Sequence, residues 1–274
     1  MKTALYVIAA ACLCAGCGNN LAGPAGTPLF LPPGALTALS VDSAHVRLGW
    51  TAPGGSTDTT FAGYVVGWGT VSDTIGKTAL QFTAGPLARG ATTFSVRSLK
   101  KGGGVSDPAT ITWAPAWRFD AVPIVVTEYN GALQSGSPGL DAGSATTDPR
   151  AVGLLDANAD STLDFYLSGP AGSGLQFVSA SVYNAGWHQT TFSTVTTSSA
   201  DLNAQLQVFP ADNTFTLLSV TLTDNVIYYV RTVGNAGEVN YVRVHVHLVP
   251  GGAVPNRQVD IRISLQRVSR LPYA

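Results

Sequence analysis

The feature that most constrains this chain is a period of two. From Ala35 to Trp113, and again from Pro123 to Val268, apolar and polar residues alternate in short runs interrupted by clusters of Gly, Pro, Asp, Asn and Ser. Side chains alternate between the two faces of a strand, so runs of this kind predict strands that bury one face against a second sheet. The first stretch predicts strands at Ala35–Val41, His45–Trp50, Tyr64–Trp68, Ala79–Thr83, Thr93–Ser98 and Ala109–Trp113. Val46, Leu48 and Trp50 share one face, and Tyr64, Val66 and Trp68 share another. The second stretch predicts Pro123–Tyr129, Leu163–Leu167, Leu175–Tyr183, Thr190–Val195, Gln205–Phe209, Phe215–Thr223, Val226–Thr232, Val239–Val249 and Val259–Val268. Gly234-Asn235-Ala236-Gly237 lies between two long runs and signals a hairpin. No segment carries a helical stripe. The expected fold class is all-β: an antiparallel sandwich over 35–114, a short linker at Ala114–Phe119, and a second antiparallel β-sandwich domain over 120–274. Gly131–Arg150, rich in Gly, Ser and Thr, is expected to be a long loop.

Composition narrows the partners. Charged residues make up 11% of the chain and the net charge is -1, so neither nucleic acid nor acidic lipid headgroups are expected to bind it. All three cysteines, Cys12, Cys14 and Cys17, precede the first strand, which leaves the body to be stabilised by packing without disulfides. Met1, Lys2 and Thr3 followed by the apolar run Ala4–Cys14 read as an export signal, because the run is too short for a permanent membrane span. Its end, Leu13-Cys14-Ala15-Gly16-Cys17, resembles the bacterial lipobox. That resemblance implies cleavage before Cys17, acylation of Cys17 and anchoring in a membrane; an ordinary secretory signal over the same residues is the alternative. Gly18 and Asn19 follow with no Asp, which for such lipoproteins implies the outer membrane or cell surface. Residues 18–34, rich in Pro, Gly and Asn, read as a flexible tether.

Between Pro33 and Ala114 the residues Pro33, Leu36, Trp50, Tyr64 with Val66, Phe94 with Val96, and Ser106-Asp107-Pro108 follow one another as in a fibronectin type III domain. The chain resembles that family over 35–114, which implies an immunoglobulin-like sandwich serving as a spacer or adhesion module. Thr92 stands at or beside the position where the family places its corner tyrosine, and Arg89-Gly90 is followed by Ala91, so the adhesive Arg-Gly-Asp tripeptide is absent. In the second domain Leu140-Asp141-Ala142-Gly143, Asp164-Phe165-Tyr166-Leu167 and Tyr229-Val230-Arg231-Thr232, together with the closing pair of strands, resemble HmuY-type surface lipoproteins. That resemblance implies capture of haem.

Three groups of residues carry candidate chemistry. Asp156, Asn158, Asp160, Thr162 and Asp164 place oxygen ligands at alternate positions of one short loop, the pattern that wraps calcium; the alternative is a polar turn leading into a strand. His245 and His247 share a strand face with Tyr241 and Arg243, and with His188 as a distant third ligand they can hold a metal or flank a haem. The alternative places them on a wet face as cross-strand partners of Asp260 and Arg262. Trp187, Tyr183 and Trp117 are candidates for a binding face, since Trp and Tyr join apolar area to a polar handle. No nucleophile elbow, zinc-protease helix or phosphate loop occurs, and Glu is confined to Glu128 and Glu238. The sequence therefore predicts a lipid-anchored surface protein that binds a protein or glycan. Haem or another small ligand is the second expectation, and an accessory domain of a secreted hydrolase the third.

Overall fold

The computed structural model describes residues 31–129, 139–144, 146–154, 162–169, 173–202, 209–234 and 236–271. Its fold is all-β, as the alternation predicts. Seven strands form a first sandwich of two antiparallel sheets. One sheet runs β1 (Gly34–Ser40), β2 (Val46–Thr51), β5 (Gln81–Ala84), and the other β4 (Val71–Gly76), β3 (Phe61–Trp68), β6 (Thr92–Lys100), β7 (Ala109–Trp113). Val46, Leu48 and Trp50 meet Tyr64, Val66, Phe94 and Val96 in a closed core, where the Trp50 and Tyr64 rings pack edge-on at 5.3 Å. The buried Ser40 hydroxyl ties the two sheets together by accepting the Trp113 indole N–H at 3.0 Å. Gly63 sits where the register of β3 shifts against β6, at φ +149, and a side chain there would collide with the Ile75 carbonyl.

The second sandwich pairs a five-stranded with a six-stranded antiparallel sheet. The smaller runs β10 (Arg150–Val152), β9 (Gly139–Asp141), β11 (Phe165–Ser168), β12 (Gln176–Ser179), β15 (Ser219–Thr221). The larger runs β14 (Phe215–Leu217), β13 (Gln189–Ser198), β16 (Val226–Val233), β17 (Val239–Val249), β18 (Gln258–Gln266), β8 (Trp117–Thr127). Phe165, Phe177, Phe192 and Tyr228 from the two sheets interlock with Val242, Val244, Val246, Ile261 and Ile263. The turn after Val233 closes the β16–β17 hairpin with Val233 opposite Val239.

Several sequence expectations need correcting. The linker at Ala114–Phe119 ends early, because Trp117 already pairs with Leu265 in β8. The loop expected over Gly131–Arg150 contains β9, and Arg150 opens β10. The run Leu175–Tyr183 is divided: β12 ends at Ser179 and a single helical turn, α1 (Ala180–Tyr183), follows. The run Phe215–Thr223 also divides, into β14 and β15 of different sheets. β4 was invisible to the alternation because nearly all its side chains are exposed. Of the strand expected at Gln205–Phe209, residues 205–208 lie outside the described residues.

The wet face expected for β17 is overturned at Tyr241, Arg243 and His245, while the His247 side chain stays 44% exposed. Register does place Arg262 opposite His245 and Asp260 opposite His247. However, Tyr241, Arg243 and His245 are buried, as are Val242, Val244 and Val246 on the other side. Leu202, Phe209 and Phe215 pack over Ile227, Tyr229 and Tyr241 on that outer face, and the Arg243 guanidinium donates to the Leu202 carbonyl at 2.6 Å. A strand covered on both sides reads as a continuous buried run.

Candidate functional site

At one end of the second sandwich the β16–β17 turn, the segment after β9 and the start of β13 enclose a polar cavity of about 260 Å³. Asp141, Asp164, His188, Thr232, Glu238 and Asn240 supply its chemistry. Thr232 and Asn240 face each other across the hairpin, on the inward phase that Val230 and Val242 occupy deeper in the core. Polar residues at that apolar phase end the hydrophobic core and open the cavity.

Asp164 is the centre of the arrangement, with its side chain 4% exposed. Its Oδ2 accepts the Ala142 backbone N–H at 2.7 Å, and its Oδ1 accepts the Thr232 hydroxyl and lies 3.0 Å from His188 Nδ1. A carboxylate on Nδ1 orients an imidazole and leaves Nε2 as the nitrogen for a ligand. The Asp164 hydrogen bond is also the main cause that raises the His188 pKa above its usual value, against the opposing effect of burial.

Asp141 shares the buried site and bonds the Gly143 N–H at 2.8 Å. Burial first, and then the neighbouring Asp164 charge, push its carboxyl up from 3.8 to about 6. The native state therefore holds a proton that the unfolded chain releases near pH 3.8, and this stabilisation is lost as pH rises through about 6. His188 acts in the same direction: its raised pKa contributes stability below 6.5 that disappears as pH climbs through the folded value. The shift from 3.8 to about 6, at about 1.4 kcal/mol per tenfold change in proton affinity, corresponds to about 3 kcal/mol. Asp141→Asn keeps an acceptor for Gly143 and removes the charge. It is expected to match the wild type near pH 4 and to exceed its stability by up to about 3 kcal/mol at pH 8. Denaturant melts at the two pH values check this, and a difference independent of pH would show that Asp141 ionises as an ordinary surface carboxyl does.

Beside the cavity lies an aromatic cluster on the outer face of the five-stranded sheet. Tyr183, 39% exposed, packs against Trp187 at 5.1 Å, and Tyr129 meets Tyr166 and Tyr183 edge-on at 5.8 and 5.9 Å. Trp187 is followed directly by His188, so the chain passes from the aromatic cluster into the cavity wall in one step.

No protein-family model matches this chain, and no curated protein does. Among solved structures it is similar to a DUF4466 family protein from Parabacteroides merdae, at 12% identity over 86% of this chain and 100% of that one, with a TM-score of 0.39. It is also similar to titin kinase and its flanking domains, at 10% identity over 87% of this chain and 37% of that one, with a TM-score of 0.26. Neither likeness transfers a residue or an activity.

The structure gathers some of the sequence candidates and separates others. His188, Trp187 and Tyr183 come together, and Thr162 and Asp164 line the cavity. Asp156, Asn158 and Asp160 lie outside the described residues, as does Cys17. A cation drawing on Asp164 has to compete with the three donors that Asp164 already accepts. His245 lies on the face of the large sheet opposite the cavity, in phase with Tyr241, so it cannot share a ligand with His188. Burial, and after it the Arg262 charge, hold its pKa below the usual value. His247, at the partly exposed end of β17, lies 2.9 Å from Asp224 through Nδ1. Trp117 is enclosed between Arg267 at 4.0 Å and Arg89 at 5.5 Å, a packing role at the start of β8. Sequence reasoning missed Asp141, Glu238 and Asn240 as site residues. One signal was available: a polar residue on the inward phase of a Val-rich strand, as at Thr232 and Asn240.

Proposed function

We propose that this chain is an exported, lipid-anchored surface protein whose second sandwich binds a glycan at the cavity beside Tyr183 and Trp187. The observation that carries this reading is the junction of an aromatic pair, Tyr183 exposed and Trp187 partly buried, with a cavity of carboxylates, a histidine and an asparagine. A sugar ring presents apolar C–H faces and a rim of hydroxyls; the aromatic faces suit the former, and fixed acceptors such as Asp141, Glu238 and Asn240 suit the latter. The three-plus-four strand arrangement of the first sandwich supports a fibronectin type III spacer between anchor and binding site, and Cys17 is the anchor point this reading requires.

Titration of residues 18–274 with soluble oligosaccharides, followed by calorimetry and Trp fluorescence, tests the reading. One glycan class is expected to bind. Trp187→Ala should weaken it about tenfold, the size of one lost aromatic contact of about 1.4 kcal/mol. Affinity unchanged in Trp187→Ala and Tyr183→Ala would move the site elsewhere. Release of new reducing ends during the titration would instead favour the hydrolase reading.

A further inference from the structure

The outer face of the six-stranded sheet carries a second polar constellation, separate from the cavity. Register sets Arg118 of β8 opposite Ser264 of β18, Ser264 opposite Arg243 of β17, and, one step along, Arg262 opposite His245. Directly opposed residues of antiparallel strands hold their Cβ atoms about 5 Å apart, so these five side chains form one continuous patch. All of the patch but the partly exposed Arg262 is buried. Arg243 and Ser264 are fully enclosed, His245 is 2% exposed, and the Arg118 side chain is 5% exposed.

Among the described residues, Nε and Nη1 of Arg118 and Oγ of Ser264 are buried donors without a hydrogen-bond partner. Carboxylates offset part of the charge. Asp120 takes Arg118 Nη2 at 2.7 Å, Asp201 acts on Arg243 and the half-exposed Asp224 on His245 through their charges, and Asp260 neighbours Arg262 on the same strand face. Against them stand the guanidinium groups of Arg118, Arg243 and Arg262. Buried donors are normally satisfied, and a buried cation left with unused donors is more costly still. An anion with several acceptor oxygens meets both demands at once.

We infer that this patch is a binding site for a small inorganic oxyanion of the phosphate or sulfate type. Arg118 and Ser264 donate to it, and Arg243 and Arg262 supply the surrounding positive charge. Because the patch and the cavity lie on opposite faces of the large sheet, occupancy of one does not require the other.

The test is a melting series of residues 18–274 in phosphate, in sulfate and in chloride at matched ionic strength and pH 7, with phosphorus NMR of the same samples. Both oxyanions also stabilise proteins non-specifically by exclusion from the surface, so the controls are Ser264→Ala and Arg118→Met. The wild type is expected to show a saturable rise in melting temperature at low millimolar phosphate and a broadened phosphorus line. Ser264→Ala, which removes one unpartnered oxygen and is built to fold, should weaken the saturable phase at least several-fold, and Arg118→Met should abolish it. A rise that is non-saturable, or the same in wild type and Ser264→Ala, overturns the site, as does a wild-type melt equal in phosphate and chloride.

Discussion

Glu128→Ala is expected to destabilise the second sandwich by about 3–5 kcal/mol, the cost of removing one partner of a buried ion pair. Glu128 sits just beyond the end of β8 with its side chain 1% exposed. Its two oxygens take Arg257 Nε at 2.8 Å and Nη2 at 2.7 Å, a bidentate pairing in which the Arg257 backbone also returns its carbonyl to the Glu128 N–H at 2.8 Å. The same guanidinium reaches across to the Gly169 and Ser173 carbonyls at 2.8 and 3.0 Å, so one arginine fastens the loop after β11 to the edge of the six-stranded sheet. A Cβ at Gly169 would meet the Arg257 guanidinium and the Glu128 carboxylate, so a side chain there displaces the pair. Alanine at 128 leaves the cation with no counter-charge while its carbonyl contacts hold it in place. For a domain of this size the loss corresponds to a fall in melting temperature of about 10 °C. Thermal melts of the variant check it; a change under 3 °C would show that solvent replaces the carboxylate freely. Glu128→Gln keeps one acceptor and should fall between the two.

Asp164→Ala is expected to cost about 3 kcal/mol or more and to remove the glycan binding proposed for the cavity together with it. Three donors lose their acceptor at once: the Ala142 N–H, the Thr232 hydroxyl and the His188 ring. The hydroxyl can turn to another partner, whereas the backbone N–H is fixed by β9 and the imidazole by its neighbour Trp187 in the aromatic cluster. The histidine pKa should fall towards its usual value, because the Asp164 hydrogen bond is the main cause of its elevation. Asp141 should also ionise more readily, since the Asp164 charge is the second cause of its raised pKa. NMR titration of the His188 ring, paired with denaturant melts, reads both effects. A stable variant with an unshifted His188 would mean that Asp164 is incidental to the cavity.

Most strands were legible because alternation is enforced locally: wherever one face is buried and the other wet, the pattern has to appear. Val46, Leu48 and Trp50, or Val242, Val244 and Val246, face the core as their phase requires. β4 was not legible, since an edge strand exposed on nearly all its side chains leaves no apolar phase to read. The single turn of α1 was hidden for the opposite reason. Phe177, Val178 and Ala180 read equally well as strand, and the chain bends because Ala180 N–H bonds the Asp164 carbonyl and Asn184 N–H closes the turn on Ala180.

The site was legible in halves. Asp164, His188, Trp187 and Tyr183 stood out as single residues, but nothing in the sequence said that Asp164 and His188 touch or that Asp141 and Glu238 join them. Their partnership depends on which strands become neighbours, with β9 beside β11 and β13 beside β16. The fate of His245 turned on the same kind of fact. Its strand, phase and opposite neighbour Arg262 follow from pattern and hairpin register, but whether that face meets water depends on where Leu202, Phe209 and Phe215 lie. The amino-acid sequence by itself determined the β class, the phase of each long strand and the β16–β17 hairpin, because side-chain alternation and turn geometry act over a few residues. Only the tertiary structure decided the strand order, the double burial of β17 and the gathering of Asp141, Asp164, His188 and Glu238, because those rest on segments far apart in the chain packing against one another.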